Sequence, residues 1–413
     1  MSDSIDEPSK DARLVAMVQP PRRCADIPDL ALPGAPPPDF ETYPEDFRVE
    51  ELADPQRDAV GDERSAFVRF DLFKRGMTTS EAIGIVAGAC HRPRRDFAFA
   101  GMKDKWAETR QWVTAPREIQ SALERFRHPR IELSDMQPWA RNLSRAELLG
   151  NRFTVTLRNC RSDAPALLEQ KLARLGGRLD NYYGPQRFGH GLETLTLGLR
   201  HLREGPGSRR HTGKGRGKGR PKDRRDAKLE FALHAAQAGL FNLYAALRSE
   251  RARAELDDEW ALRGLSGERW QASWGDRRRV GSPEALAEQT TDVGELSPSG
   301  PMLGRRLPPA PEGSLAAALE SEALARAELR LEDFEAFGAL LPGSHRPLWV
   351  QLRGDRGEHP GPGTGVRTEM VGDDLRQADA APAKRGTALR LHFSLPAGSY
   401  ATTLLRELLG ELR

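Results

Sequence analysis

The segment FAFAGMKDKWAETRQWVT, residues 97–114, sets one carboxylate, Asp104, between Lys103 and Lys105. Apolar residues at strand spacing precede this charged triplet and a β-favouring stretch follows it, which predicts a strand, a short polar loop and a second strand. Flanking cations favour an ionised carboxylate and lower its pKa below the ordinary value of about 3.9. Such an Asp can act as a nucleophile or general base, and its basic neighbours attract phosphates. The alternative is a solvated turn whose charges keep the loop soluble.

The familiar signatures of other chemistries are missing from the chain. It has no phosphate-binding GxxxxGK[ST], no GxGxxG between a strand and a helix, no HExxH and no GxSxG. The histidines are scattered, and Cys24, Cys90 and Cys160 lack metal-ligand spacing, so we expect reduced thiols and no structural zinc. The pattern favours an enzyme that acts on RNA with no cofactor and no metal.

Length and composition indicate a cytoplasmic protein. The 413 residues suggest two or three domains, or one domain with a large insertion. Hydrophobic residues make up 38% of the chain and charged residues 30%, and no apolar run approaches the roughly 20 residues of a membrane span. The N-terminus lacks the basic start and apolar core of a signal peptide. We therefore expect no membrane association.

A basic arm, defined as residues 203–228, interrupts the middle of the chain. It is dense in Lys and Arg, interleaved with Gly and almost free of apolar residues, so it cannot fold alone. It is either a solvated, disordered loop or an electrostatic arm for a polyanion, because contacts with phosphates release counterions. We favour a nucleic-acid partner, although Arg is used heavily along the whole chain and part of the basicity reflects that bias.

Hydrophobic periodicity predicts strands mixed with amphipathic helices. Strand patterns occur around residues 45–52, 64–76 and 150–159 and at Leu389, Leu391 and Phe393, and helix patterns follow the second, third and fourth of them. Residues 1–38 are polar and rich in Pro, which indicates an extended or disordered leader. This mixture predicts an α+β fold with an antiparallel sheet.

Six segments together resemble the tRNA pseudouridine synthase TruD family. They are PEDFRVEE, FAGMKDKWAETRQWV, GNRFTVTLRN, NYYGPQRFG, SGPMLGRRL and LHFSLPAGSYATTLLREL, and they occur in the family's order. The resemblance implies a pseudouridine synthase fold, with a central antiparallel sheet flanked by helices, and an inserted, mainly helical α+β domain. It places a discontinuous catalytic domain at 39–190 and 345–413 and the inserted domain at 191–344.

The same resemblance assigns the site. The family's catalytic aspartate maps onto Asp104, which either attacks C1′ of the target uridine or removes its C2′ proton to give a glycal. Its aromatic partner for the extruded base maps onto Phe153, and Asn151 is a hydrogen-bond partner for the base or for Asp104. The remaining predicted substrate-binding residues are Lys103, Lys105, Gln111 and Arg187.

One position departs from the family pattern. Where the family has a lysine that pairs with the catalytic aspartate, this chain has Glu41. Either Arg48 or Lys103 then supplies the cation, or the alignment shifts locally.

The resemblance predicts a monomeric tRNA pseudouridine synthase acting on uridine 13 of the D-arm. A non-catalytic RNA-binding protein, such as a tRNA chaperone, would use the same basic surfaces. A structural protein whose basic arm docks on ribosomal RNA is the third possibility.

Overall fold

The computed structural model describes residues 12–53, 59–144, 147–206, 222–255, 264–274, 280–282, 296–354, 366–373 and 387–410. These residues form two compact units. The sheet unit comprises the described residues within 23–179 and 351–413, and the helical unit those within 12–22 and 180–350.

The strands, in chain order, are β1 Phe47–Ala53, β2 Phe67–Arg75, β3 Ala98–Phe99, β4 Glu108–Pro116, β5 Ile131–Trp139, β6 Leu148–Cys160, β7 Arg178–Asp180, β8 Arg269–Ala272, β9 Val280–Gly281, β10 Leu296–Met302, β11 Ser344–Pro347, β12 Trp349–Gln351, β13 Arg367–Asp373 and β14 Thr387–Pro396. The α-helices are α1 Ala12–Val18, α2 Thr79–Ala89, α3 Gln120–Arg125, α4 Ala164–Leu175, α5 Glu193–Glu204, α6 Lys222–Glu255, α7 Leu315–Arg326, α8 Leu331–Glu335 and α9 Ala401–Leu409.

The sheet unit is built on one sheet with the strand order β13-β14-β6-β1-β4-β2-β5, and β3 adds to β4. All neighbours in this order are antiparallel except β1 and β4, which run parallel. Helices of the same unit flank the sheet, so the predicted α+β class is confirmed. The single parallel pair makes the sheet mixed rather than wholly antiparallel.

Local sequence explains the elements that lead to Asp104. Val68, Phe70 and Leu72 alternate along β2 and are fully buried, as the period-two pattern requires. At the start of α2, the Thr78 side chain accepts a hydrogen bond from the Glu81 amide, and the Glu81 carboxylate accepts one from the Thr78 amide. This reciprocal cap fixes where the helix begins. The buried side of α2 packs on the same face of the sheet.

Part of the predicted leader is packed rather than extended or disordered. Met17 of α1 lies in the core of the helical unit. In the sheet unit, Cys24 and Leu30 are fully buried. The Glu407 carboxylate accepts hydrogen bonds from the amides of residues 23 and 24, which assigns it an internal role. Sparse apolar side chains between the prolines supply these anchors, and composition alone does not reveal them.

The helical unit is organised around the long α6, which packs against α5, α7 and α1. It also contains a four-stranded sheet in the order β11-β10-β8-β9. The unit boundaries fall at 179/180 and 350/351, compared with the expected 190/191 and 344/345. The segment NYYGPQRFG belongs to the helical unit because the Asn181 amide group donates to the Pro347 carbonyl and the Arg346 guanidinium donates to Asn181.

Residues 207–221 of the predicted basic arm lie outside the described residues. In the part of the chain that the structure does describe, we find no helix with the length and apolar character needed to cross a bilayer.

Candidate active site

Asp104 lies in the loop between β3 and β4 and is exposed to solvent. The buried Lys74 of β2 donates a hydrogen bond from Nζ to the Asp104 carbonyl oxygen at 2.6 Å. Gln111 of β4 donates from Nε2 to the Gly101 carbonyl and accepts from the Thr79 hydroxyl, each at 2.9 Å. The loop is thus bonded to the sheet and to the start of α2 on both sides of the carboxylate.

The sheet register brings distant residues together beneath this loop. Cross-strand pairing aligns Phe393, Phe153 and Val49, and continues from Val49 through Thr109 to Lys74. Leu395, Asn151 and Glu51 form a second row of cross-strand partners. Each of them lies two positions from a member of the first row on the same strand, so both rows lie on one face of the sheet. Five strands therefore contribute to one surface.

A buried ion pair anchors the loop to the second row. Lys103 donates from Nζ to Glu51 Oε1 at 2.7 Å and to Asn151 Oδ1 at 2.8 Å, and the side chains of Lys103 and Glu51 are 4% and 5% exposed. Glu51 also accepts from the Trp112 amide at 3.1 Å. Lys103 was predicted to contact substrate or Asp104. Its ammonium is buried and bonded to Glu51 and Asn151, which ties the loop to β1 and β6, and its contact with substrate stays a prediction.

Gln111 also holds the loop to the sheet unit. Its side chain is fully buried, and both ends of its amide are bonded inside the sheet unit. These bonds help to set the loop conformation, and the contact of Gln111 with substrate stays a prediction.

The charge balance at Asp104 also differs from the sequence expectation. The protein packed around the carboxyl group raises the pKa of Asp104, and Lys74 and then Lys103 oppose that effect. Because the residue is also exposed, water on its open side limits the rise. The two flanking lysines do not reverse the rise in the Asp104 pKa. Lys103 is paired with Glu51, and the Lys105 Nζ lies 3.9 Å from the centre of the Trp106 ring. The expected lowering of this pKa is therefore corrected to a rise.

Lys74 is the cation that the sequence did not reveal. Burial lowers the pKa of Lys74 from 10.5 to about 8, with the Asp104 charge opposing that shift. Of the candidates named from sequence, Arg48 pairs with Glu108 at 2.9 Å and Lys103 with Glu51. Glu41 is exposed. Lys74, beneath the loop, is thus the cation with the largest effect on the Asp104 pKa, and Lys103 has the second largest.

Phe153 lies in a buried aromatic column. Its ring stacks on Phe393 at a centroid distance of 5.2 Å and an interplanar angle of 18°, and tilts against Phe47 at 6.0 Å. Only 5% of Phe153 is exposed. In this conformation the column supports the floor of the site, next to Asn151 on the same strand face.

The predicted residue Arg187 belongs to the helical unit. Its guanidinium carbon is 5.5 Å from the centre of the Phe231 ring and 5.9 Å from that of Tyr183. Asp104, Asn151, Phe153, Lys103, Lys105 and Gln111 all belong to the sheet unit. Among the described residues no group of three or more His, Cys, Asp or Glu side chains forms a metal-ligand cluster.

The buried pair leads to a prediction about stability. Lys103→Met leaves the Glu51 carboxylate buried without its cation, and we expect the free energy of unfolding to fall by roughly 3–5 kcal/mol. Glu51→Gln in the same chain retains an acceptor for the Trp112 amide and removes the stranded charge, so the double variant should recover part of the loss. Urea unfolding of both single variants and the double variant measures this coupling; strictly additive losses would contradict it.

The arrangement is an exposed Asp104 on a loop bonded to the sheet, with the buried Lys74 ammonium at its carbonyl and the Phe153 column on the same sheet face as Lys74. The family model described as tRNA pseudouridine synthase D (TruD) matches residues 39–204 and 228–408. The tRNA pseudouridine synthase D of one Thermus thermophilus strain is 32% identical, over 90% of this chain and 88% of its own length. That of Chromohalobacter salexigens is 30% identical, over 90% and 92%.

A solved structure agrees in fold. The TruD protein of Methanosarcina mazei superposes with a TM-score of 0.66, covering 96% of this chain and 97% of its own, at 19% sequence identity. With the matches of the family model and the bacterial relatives over most of the chain, the conclusion is that this protein belongs to the tRNA pseudouridine synthase D (TruD) family.

Proposed function

We propose that this protein converts a uridine of tRNA, at position 13 of the D-arm, to pseudouridine, with Asp104 as the reacting side chain. Relatives named tRNA pseudouridine synthase D support the reaction class. The observation that carries the residue assignment is the exposed Asp104 on a loop that is bonded to the sheet unit through the Gly101 and Asp104 carbonyls and the Lys103 side chain. We assign catalysis to the sheet unit and regard the helical unit as the inserted domain.

The reaction needs no net oxidation, reduction or hydrolysis, because uridine and pseudouridine are isomers. As a nucleophile, an Asp104 oxygen bonds to C1′ while the N1–C1′ bond breaks and uracil leaves with the electron pair. After the base turns, C5 bonds to C1′, the carboxylate leaves, and the C5 proton is lost while N1 gains one. None of these reaction steps requires a cofactor.

The second route uses Asp104 as a base. The carboxylate takes the C2′ proton, the N1–C1′ bond breaks and a glycal with a C1′–C2′ double bond remains. C5 then bonds to C1′ while the proton returns to C2′, and, as in the first route, C5 loses its proton and N1 gains one. A primary isotope effect with uridine deuterated at C2′ distinguishes this route from nucleophilic attack.

The chain's own residues have defined tasks in either route. Lys74 opposes the rise in the Asp104 pKa and fixes the Asp104 carbonyl, so the carboxylate stays ionised and in place. The uridine must leave the base stack to reach it, at a cost of a few kcal/mol. Asn151 and the aromatic column of Phe153 lie on the sheet face beneath the loop, where an extruded base would be received.

Mapping pseudouridine in total tRNA from cells with and without this gene tests the proposal. Loss of pseudouridine at position 13, restored by the wild-type gene, is the expected result. Unchanged modification at that position would contradict it and favour a non-catalytic tRNA-binding protein.

The basic arm is expected to contribute affinity rather than chemistry. Replacing residues 207–221, which include six Lys and Arg, with a Gly/Ser segment of equal length should weaken tRNA binding and flatten its dependence on salt. The magnitude of the slope of log affinity against log salt should fall by up to about 5, at roughly 0.7–0.9 per lost phosphate contact. A shuffled arm that keeps all six cations is the matched control.

The same experiment distinguishes the enzyme from a structural protein whose basic arm docks on ribosomal RNA. At saturating enzyme the single-turnover rate should survive removal of the arm. A protein that only docks on ribosomal RNA through its arm would instead lose ribosome association and show no change in tRNA modification.

A further inference from the structure

Two large apolar side chains are exposed on the Asp104 loop, each two residues from the carboxylate. Met102 is 59% exposed and Trp106 is 37% exposed. Single exposed apolar side chains are ordinary on a soluble surface, but two large ones on either side of the candidate reactive residue are placed to contact a bound substrate. The loop already carries two lysines, so its solubility does not depend on these residues.

The bonding of the loop explains why these side chains point outward. The backbone amide of Lys103 donates to the Thr79 hydroxyl at 2.9 Å, and the Gly101 and Asp104 carbonyls accept from Gln111 and Lys74. These bonds direct the backbone's polar groups and the Lys103 side chain into the sheet unit. Residues 102, 104 and 106 are left on the exposed side. The carboxylate therefore sits between two apolar groups on a fixed loop.

Each apolar group has a defined local partner. The Met102 sulfur accepts a hydrogen bond from the Ser80 hydroxyl at 3.9 Å, at the start of α2. The Lys105 ammonium covers one face of the Trp106 ring, a cation–π contact that holds the ring and places a positive charge beside it. The ring's remaining surface, with an adjacent cation, suits a nucleobase and the phosphate attached to it.

Extrusion of a uridine creates a need that matches these groups. The base leaves a gap in the stack, and its two neighbours lose stacking on the side that faces the gap. Proteins that unstack nucleic acid insert apolar wedges, Met among them, into such a gap. Aromatic side chains stack on neighbouring bases with little dependence on sequence.

We propose that Met102 and Trp106 hold the nucleotides that flank the extruded uridine. Met102 fills the position that the uridine vacates, and Trp106 stacks on an adjacent base while Lys105 meets its phosphate. The inference rests on the proposed function. Both are positioning residues, because the chemistry belongs to Asp104.

Trp106→Ala tests the stacking contact. Affinity for a tRNA transcript should fall about 5- to 150-fold, the equivalent of 1–3 kcal/mol of base stacking, and Trp106→Phe should retain most of that affinity. The matched control is Ile85→Ala, which shortens another apolar side chain with 37% exposure in the sheet unit. Thermal unfolding should be unchanged in all three variants because the side chains are exposed.

Met102→Ala tests the wedge through its dependence on substrate. The single-turnover rate on folded tRNA should fall about tenfold or more. The loss should be much smaller on a transcript whose target uridine faces a mismatch, since less stacking and pairing must then be broken. Met102→Leu should behave like the wild type.

Each result has a distinct meaning. Trp106→Ala and Met102→Ala variants within about twofold of Ile85→Ala in affinity and rate would overturn this inference while leaving the proposed function intact. Equal slowing by Met102→Ala on both transcripts would overturn the wedge. A wild-type protein that forms no pseudouridine on either transcript would reject the proposed function itself.

Discussion

Asp104→Asn is expected to abolish measurable pseudouridine formation while tRNA binding is retained. The amide has nearly the shape of the carboxylate but neither attacks C1′ effectively nor accepts the C2′ proton. Removing a general base costs about 10²–10⁴-fold in rate, and removing a covalent nucleophile costs as much or more. Affinity should hold or rise slightly, because a negative charge near the substrate phosphates is removed.

The measurement pairs a single-turnover assay with equilibrium tRNA binding. Asp163→Asn is the control, since Asp163 is a half-exposed carboxylate of the same unit that pairs only locally with Arg161. It should match the wild type in both assays. Full activity of Asp104→Asn would eliminate the site assignment, and a parallel loss of binding would point to a role in holding the loop.

The wild-type rate should also report the environment of Asp104. The ionised form is the active form, so the rate rises with pH through the Asp104 pKa and then levels. Because that pKa is raised, the acid limb should lie above the range of an ordinary Asp. An acid limb below pH 3.8, the ordinary pKa of Asp, would contradict this prediction. It would instead support a pKa of Asp104 lowered by the flanking lysines.

Elements with local determinants could be predicted from sequence. The Thr78–Glu81 cap and the helix after it need only neighbouring residues, and the period of two in β2 and β6 is visible in their apolar positions. The same reasoning placed Asp104 in a loop between two strands. It also placed Phe153 on the apolar face of a strand, whereas Asn151 was identified only through the family resemblance.

The partners of those residues could not be predicted, because they are set by strand order. Lys103 can bond to both Glu51 and Asn151 because β1, which carries Glu51, lies between β6 and β4. The parallel pairing of β1 with β4 joins strands that are far apart in sequence. Patterns of local hydrophobicity do not contain that information.

The buried position of Lys74 could have been predicted from the sequence. The buried alternation of Val68, Phe70 and Leu72 continues to position 74, where a lysine stands. A cation at a core position of a strand has to meet a polar group inside the protein. Here that group is the Asp104 carbonyl, and the carboxylate lies nearby.

Lys74→Met should therefore lower the rate strongly and change its pH dependence. It removes a charge-assisted hydrogen bond to the Asp104 carbonyl, worth about 1.5–3 kcal/mol or roughly 10- to 150-fold in rate if it acts in the transition state. It also removes the largest effect opposing the rise in the Asp104 pKa. The acid limb of the rate profile should move to higher pH.

Lys74→Gln separates the two contributions, since it keeps a donor without the charge. Its acid limb should shift as in Lys74→Met, but its plateau rate should be higher if the hydrogen bond fixes the loop. Identical plateaus would show that the charge alone matters. An unshifted acid limb in both variants would reject Lys74 as the cation acting on Asp104.

Loss of folding is not expected to explain the effect of Lys74→Met. The pKa of Lys74 is about 8 in the folded protein and 10.5 as its ordinary value, so the unfolded chain binds more protons between these pH values. The stability of the wild type should consequently rise with pH from about 8 to 10.5, and below pH 8 the buried ammonium is a cost. Methionine removes that cost. Thermal unfolding at about pH 7 should show a variant close to wild type in stability, and its slow reaction then reports on the site.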